Sequence, residues 1–203
     1  MPYKMPYKSM SLSSRFRMGF TLLEILVTLI VVTIGLLGLA GLQMTGLRHN
    51  HDAYIRSQAA LQAYDIADRM QANLVKAKEL SNPYDSRGTA TYTYSAIGAA
   101  DATCENATGS GCSTTALAAN DMFRWKQTLR ALLPSGIGIV CRDSSALPSA
   151  NASDYNPTAD SVTINCSASS SNPTADPYVV KIWWVDDRSA TVSSFVTVIG
   201  PVR

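Results

Sequence analysis

Residues 17–42 read RMGFTLLEILVTLIVVTIGLLGLAGL, and the organisation of the rest of the chain follows from this stretch. Its last 23 residues, from Phe20 to Leu42, carry a single charge, Glu24, and fifteen of them are Leu, Ile, Val or Phe. As an α-helix they would be roughly 34 Å long, against a bilayer hydrocarbon core of about 30 Å. Inserting the apolar side chains gains roughly 5–9 kcal/mol, whereas one carboxylate costs about 3 kcal/mol. The pattern therefore predicts a membrane-spanning helix.

A cleaved secretory signal peptide is the first alternative, because it also has basic residues before an apolar core. Such a core is shorter, and a small-residue cleavage site follows it. Here the apolar run is too long, its small residues Gly35, Gly38 and Gly41 lie inside it, and a conspicuous glycine, Gly19, precedes it. Residues 1–19 contain four basic residues and no acidic one, which predicts that this end of the chain stays in the cytoplasm.

The hexapeptide from Gly19 to Glu24, GFTLLE, resembles the processing site of the type IV pilin superfamily. The resemblance implies that residues 1–19 are a basic leader, that prepilin peptidase cuts between Gly19 and Phe20, and that the new amine of Phe20 is methylated. It also implies that Glu24, the fifth residue of the mature chain, pairs with the Phe20 amine of a neighbouring subunit. An unpaired carboxylate in an apolar bundle costs several kcal/mol, so the physical argument agrees. An ordinary membrane anchor with one polar residue is the alternative.

The helical pattern continues beyond residues 20–42, which the resemblance makes the transmembrane and filament-core segment. No proline occurs between Phe20 and Asn82, which predicts one helix of up to about 60 residues that ends before Pro83. Residues 43–82 would form an amphipathic continuation facing a globular head at residues 83–203. The glycines at 35, 38 and 41 leave two interpretations open, local melting on assembly and close helix packing. The expected apolar positions are Leu47, Tyr54 and Leu61 at intervals of seven, with Ile55, Ala59, Ile66, Met70 and Leu74 beside them.

The sequence of the head predicts one helix and several strands, so the expected fold class is α+β. Residues 120–133 (NDMFRWKQTLRALL) predict a helix capped by Asn120 or Asp121. Alternating apolar residues predict strands that form a four-stranded antiparallel meander packed against the long helix, with a turn at residues 186–189. A short run at residues 91–94 predicts a further strand. The expected apolar face of the helix is Met122, Trp125, Leu129 and Leu132, and the meander strands lie at residues 137–141, 162–166, 178–185 and 195–199.

Four cysteines lie in the head, and they allow three disulfide connectivities. Cys104 and Cys112 are separated by seven residues, a loop that a disulfide closes easily. Cys141 and Cys166 each end the inward-facing set of a predicted strand. We therefore favour Cys104–Cys112 and Cys141–Cys166, which fits a segment outside the cytoplasm. A zinc site of all four cysteines is the rival, disfavoured because no CxxC spacing occurs.

The order of segments in the head, DMFRWKQTLRALLPSGIGIVCRD, then a cysteine strand, then VKIWWVDD, resembles PilV-type minor pilins, or type IV pilus modification proteins. The resemblance implies a type IV pilin fold, no enzymatic activity, no cofactor, and a subunit that helps to prime pilus assembly near the tip. The implied partners are other minor pilins, the major pilin, prepilin peptidase, the inner-membrane assembly platform and a tip adhesin. The implied location is the bacterial inner membrane, with the N-terminus cytoplasmic and the head periplasmic, and then the pilus at the cell surface.

Other functions remain as alternatives, chiefly a pseudopilin of type II secretion and a DNA-uptake pilin. Residues 83–203 hold eight basic and ten acidic residues, 8 − 10 = −2, which argues against a nucleic-acid partner. A local basic stripe at Arg124, Lys126 and Arg130 stays open. An anchored enzyme is disfavoured because the head has no His-based or Cys-based triad, and the spacing of His49 and His51 disfavours a shared metal ion. On the long helix, the acidic pair at residues 65 and 68 predicts a solvated surface.

Overall fold

The computed structural model describes residues 19–88, 90–105, 111–145, 147–167, 175–186 and 190–200. The chain divides into two compact units, residues 1–49 and 50–203. Residues 1–18 of the predicted leader and residues 187–189 of the predicted turn lie outside the described residues. The helices are α1 (Leu22–Ala72), α2 (Leu74–Lys78), α3 (Ala102–Glu105) and α4 (Thr114–Leu132); the strands are β1 (Thr91–Thr93), β2 (Ile137–Arg142), β3 (Tyr155–Asn156), β4 (Ser161–Thr163), β5 (Tyr178–Val185) and β6 (Val192–Gly200).

The long helix α1 ends at Ala72, about ten residues before the end that the sequence predicts. Asn73 leaves helical geometry with φ −114° and ψ 48°, and its side chain is buried. The Asn73 amide donates hydrogen bonds to the Thr114 carbonyl oxygen at 2.7 Å and to the Tyr84 hydroxyl at 3.3 Å. The prediction of one uninterrupted helix is therefore wrong, because a buried amide bonded to two other segments fixes a break that no proline or glycine signals.

In the unit formed by residues 50–203, one face of α1 is buried against the rest of the head. The buried positions confirm part of the predicted stripe, but Tyr54 and Leu61 are 56% and 58% exposed. These two members of the seven-residue repeat point away from the core, since the head covers only one sector of the helix. The buried residues of α1 are Ile55, Ala59, Ala63, Ile66, Ala67 and Met70.

Helix α4 begins at Thr114, six residues earlier than the predicted start at residue 120. Ser113 is the N-cap, and its hydroxyl oxygen accepts a hydrogen bond from the Ala116 N–H at 3.1 Å. Neither Asn120 nor Asp121 caps the helix, because both lie inside it. At the other end Leu132 is 39% exposed, while Leu133, which has extended backbone, is buried in its place.

The strands form two antiparallel three-stranded sheets, so the α+β class is confirmed and the single four-stranded meander is wrong. One sheet has the order β2-β5-β6 and the other the order β1-β4-β3. Strand β4, which was expected to join the meander, pairs with β1 and β3 instead, with Val162 opposite Tyr92 on one side and Tyr155 on the other. These two aromatic side chains and Val162 are all buried, so pairing in the short sheet places the inward face of β4 in an apolar cluster.

The sheet β2-β5-β6 is covered on both faces. Residues of α1 and α4 pack on one face around Val140, Val180 and Ile182. The small sheet packs on the other face against Ile139 and Trp183. Strands β2 and β5 are consequently buried along nearly their whole length, which explains why YVVKIWWV reads as a continuous apolar run instead of a simple alternation.

Candidate processing and assembly segment

The segment from Gly19 to Glu24 lies at the start of α1, with its first residues outside the helix. The N–H of Glu24 donates to the Thr21 hydroxyl oxygen at 3.3 Å and to the Thr21 carbonyl at 3.1 Å, so Thr21 caps the helix. Phe20 is 80% exposed, and apart from its chain neighbours no described residue lies within 4 Å of the place where a Cβ of Gly19 would be. The peptide bond between Gly19 and Phe20 is thus in a non-helical, open stretch of chain.

Glu24 occupies the first turn of α1, where free backbone N–H groups and the helix dipole favour a carboxylate. It is exposed, and none of the salt bridges among the described residues involves it. The next basic residue along the chain is Arg48, more than six helical turns away. Within residues 19–47, therefore, Glu24 has no intrachain counter-charge and its carboxylate is open to another molecule.

The apolar residues that follow Glu24 are uncovered. All fifteen Leu, Ile, Val and Phe side chains between Phe20 and Leu42 are about half exposed or more, from 49% at Ile25 to 88% at Leu22. By length and composition α1 can cross a membrane. Fully burying one such side chain is worth about 1.5–3 kcal/mol. An exposed apolar surface of this extent is typical of a segment that contacts lipid or other apolar helices.

Polar groups inside the apolar part of α1 are satisfied within the helix. The hydroxyls of Thr28 and Thr33 donate to the carbonyls of Ile25 and Ile30, each at 2.8 Å, so neither needs a partner in an apolar medium. The helix passes without a break through the glycines at 35, 38 and 41, and each has open space beside its Cα. This surface of small residues leaves room for close packing of another helix.

Two disulfides join the four cysteines of the head. They are Cys104–Cys112, with Cα atoms 4.8 Å apart, and Cys141–Cys166, with Cα atoms 6.3 Å apart. This is the pairing favoured from the sequence, but the two cysteine strands do not share one sheet, as the predicted four-stranded meander required. Cys141 lies in β2 and Cys166 follows β4, and these strands belong to different sheets. The second disulfide therefore ties the two sheets together.

The basic stripe left open by the sequence is not a free cationic surface. Arg124 forms an ion pair with Glu105 of α3, and Arg130 forms a bidentate pair with Asp160 at 2.8 and 2.9 Å. The ammonium of Lys126 lies 3.9 Å from the centre of the Tyr92 ring, and burial lowers its pKa to about 8. All three cations are thus engaged within the head, which weakens the case for phosphate binding.

Comparison of the chain with protein-family models, with curated proteins and with solved structures finds no match in any of the three. Among the described residues, no three or more His, Cys, Asp or Glu side chains are placed to hold a metal ion.

Sequence reasoning missed a buried ion pair on the small-sheet side of the head. Lys181 donates to Asp143 at 3.0 Å, and both side chains are only 1% exposed. Burial raises the pKa of Asp143, but hydrogen bonds from Ser145 and the Lys181 charge outweigh this and leave the pKa below its usual value. The available signal was a lysine inside the apolar strand YVVKIWWV, because a charge in a buried strand requires a partner.

Proposed function

We propose that this chain is a minor pilin of a type IV pilus, a non-enzymatic subunit that helps to prime pilus assembly within a minor-pilin complex near the tip. The observation that supports this best is the combination of fifteen uncovered apolar side chains between Phe20 and Leu42 with one carboxylate, that of Glu24, which has no ion pair among the described residues. A membrane anchor requires the first feature only. A segment that leaves the bilayer and packs among other helices also requires a way to fix its register.

Glu24 would fix the axial register between neighbouring helices. Cleavage after Gly19 would create a positively charged amine at Phe20, one helical turn from the carboxylate. In a bundle of parallel chains, the Glu24 carboxylate of one subunit can pair with the Phe20 amine of the next, and this pairing removes the cost of two buried charges. A wrong axial offset would leave both charges unpaired, so the pair selects one offset between neighbours.

The proposed location follows from the same features. The basic leader would keep the N-terminus in the cytoplasm, prepilin peptidase would cut there, and the head with its two disulfides would fold in the oxidising periplasm. The expected partners are the other minor pilins, the major pilin, the inner-membrane assembly platform and a tip adhesin. A pseudopilin of a type II secretion system would share the helix, so the identity of the co-purifying assembly proteins separates these two functions.

The test compares wild-type protein with Glu24→Ala and Glu24→Gln in membranes of a piliated host. Intact mass and N-terminal sequencing should find all three chains starting at N-methyl-Phe20, because the carboxylate is not part of the cleaved bond. Sister pilins should co-purify with the wild type about tenfold more than with either variant, since losing the charge leaves the partner amine unpaired. The variant Asp52→Asn, with a neutralised carboxylate farther along α1, serves as the control and should match the wild type.

Two results would contradict the proposal. A wild-type chain that retains its leader, or that is cut after Leu42, would show an ordinary anchor or signal peptide. Normal co-purification of both Glu24 variants would remove the role of the carboxylate in register.

A further inference from the structure

Strand β6 has an uncovered edge beside a groove on α1. It is the outer strand of the sheet β2-β5-β6, and no strand of the described part of the chain pairs with its outer side. Its nine residues, VSSFVTVIG, contain no charge and no proline, although edge strands normally carry such residues to prevent pairing with other chains. Near the start of β6, the Ser194 hydroxyl donates a hydrogen bond to the Ala150 carbonyl oxygen, so another segment of the head lies beside this part of the strand. Val198, near the end of β6, is 50% exposed.

The groove runs between the end of β6 and α1 and has a volume of about 250 Å³. On α1, Ala63 and Ala67 form the buried floor of the groove, and Tyr64, which is 61% exposed, forms a wall. Among the described residues, Asp68 is the one charged residue that lines the groove, and it has neither an ion pair nor a hydrogen bond with any of them. Asp68 is exposed, as expected for a solvated helix surface, and it also borders the groove.

We infer that this groove docks an extended strand of a partner protein that pairs with the outer edge of β6 and places a Lys or Arg side chain against Asp68. Main-chain hydrogen bonds to β6 would supply affinity, and alternate apolar side chains would enter the groove, as in other cases of strand addition. A second copy of this chain fits less well. A two-fold dimer uses the same patch on both copies, and the described residues of this patch include no basic side chain to pair with Asp68.

The inference rests on the proposed function only in expecting partner subunits in the same membrane. The test uses the full chain in a piliated host, with the photo-crosslinking amino acid p-benzoylphenylalanine in place of Val198. The control carries it at Val75, which is 72% exposed and does not line the groove. We expect an adduct from position 198 only. The crosslinked partner peptide, mapped by mass spectrometry, should lie in a strand-forming segment that contains a Lys or Arg.

Charge reversal in the groove gives a second readout. Asp68→Lys should lower the adduct yield about fivefold, equivalent to about 1 kcal/mol, whereas Asp52→Lys on the same helix should leave it unchanged. An adduct no stronger than at position 75, an adduct with a second copy, a peptide from a helix, or indifference to Asp68→Lys would each overturn the inference. Leader cleavage, measured on the same samples by intact mass, reports on the proposed function separately.

Discussion

At the residue scale, two cations of α4 lie over two tyrosine rings near the start of the small sheet. Lys126 and Arg130 are one helical turn apart, and Tyr92 and Tyr94 are two residues apart, so both pairs can form together. The ammonium of Lys126 is 3.9 Å from the Tyr92 ring centre and the guanidinium of Arg130 is 4.7 Å from that of Tyr94. Arg130 also has the Asp160 carboxylate, whereas Lys126 has no ion pair or hydrogen bond among the described residues, and burial lowers the Lys126 pKa to about 8.

This lowered pKa predicts that the head becomes more stable as the pH rises from about 8 towards 9.5. In the unfolded chain Lys126 would keep its ordinary pKa of about 10.4. The unfolded state therefore binds more protons over this window, and the free energy of unfolding increases with pH. Urea unfolding of the full chain in detergent at pH 7.5 and 9.5 measures the effect, and Lys126→Met should abolish most of the increase.

Lys78→Met, at an exposed lysine of α2, is the control and should leave the pH dependence unchanged. Burial raises the pKa values of Tyr84 and Tyr92, so these tyrosines ionise first in the unfolded chain and oppose the increase as the pH approaches 9.5. Wild type and Lys126→Met share this effect, so the difference between them reports on Lys126. An equal pH dependence in wild type and Lys126→Met would contradict the assignment to Lys126.

At the element scale, the close approach of α4 to β2 depends on Gly138. A Cβ at this position would lie 2.6 Å from Leu129 Cδ1 and 2.7 Å from Trp125 Cη2, distances at which atoms overlap. Both of these side chains are fully buried, so neither can move aside into solvent. The glycine therefore sets the spacing between helix and sheet.

Gly138→Ala should lower the free energy of unfolding by about 1–3 kcal/mol, the usual cost of overpacking a core. Leu129→Ala alone should cost about 2–5 kcal/mol, but it also vacates the space that the new methyl group needs. The double variant should consequently lose less stability than the sum of the two single variants. Urea unfolding of all four proteins measures this coupling, and simple additivity would show that the two side chains do not compete for space.

Elements with a strong pattern were predictable, and elements fixed by distant contacts were not. The strand at residues 178–185 matches β5, and the apolar run lies within α1 from residue 22 to residue 42. The sequence did not predict that α4 begins as early as Thr114, because the composition of its first turns, TTALAAN, is similar to that of a loop. The end of α1 at Asn73 depends on Thr114 and Tyr84, residues 41 and 11 positions away. No local signal in the sequence carries that information.

At the scale of the whole molecule, the class of fold was predictable but the arrangement of strands was not. Alternation identifies the inward face of β4, yet it does not say which neighbour that strand pairs with. In the candidate site, Glu24 stands out because it is the one charge in an apolar run. Asp68 does not stand out, because its setting arises from β6, more than 120 residues later in the chain.

The two disulfides should contribute unequally to stability. Cys141 and Cys166 are 25 residues apart in the sequence, and Cys104 and Cys112 are 8 apart. From the entropy of closing these loops in the unfolded chain, the first disulfide should contribute about 3.5 kcal/mol to stability and the second about 2.5 kcal/mol. Replacing Cys141 and Cys166 by serine should therefore lower the free energy of unfolding more than replacing Cys104 and Cys112. Burial of Cys141 adds to the difference. Urea unfolding of both double variants tests the order, and a larger loss from the Cys104/Cys112 variant would contradict it.

The disulfide between Cys104 and Cys112 also affects how proteolytic cleavage of the chain would be detected. A protease that cuts one peptide bond between these cysteines would add one water molecule to the mass but release no fragment, because the sulfur–sulfur bond spans the cut. Everything from α4 onward would stay attached to α1. A nicked chain would migrate as an intact one on a gel without reductant, and only a thiol would separate the two pieces.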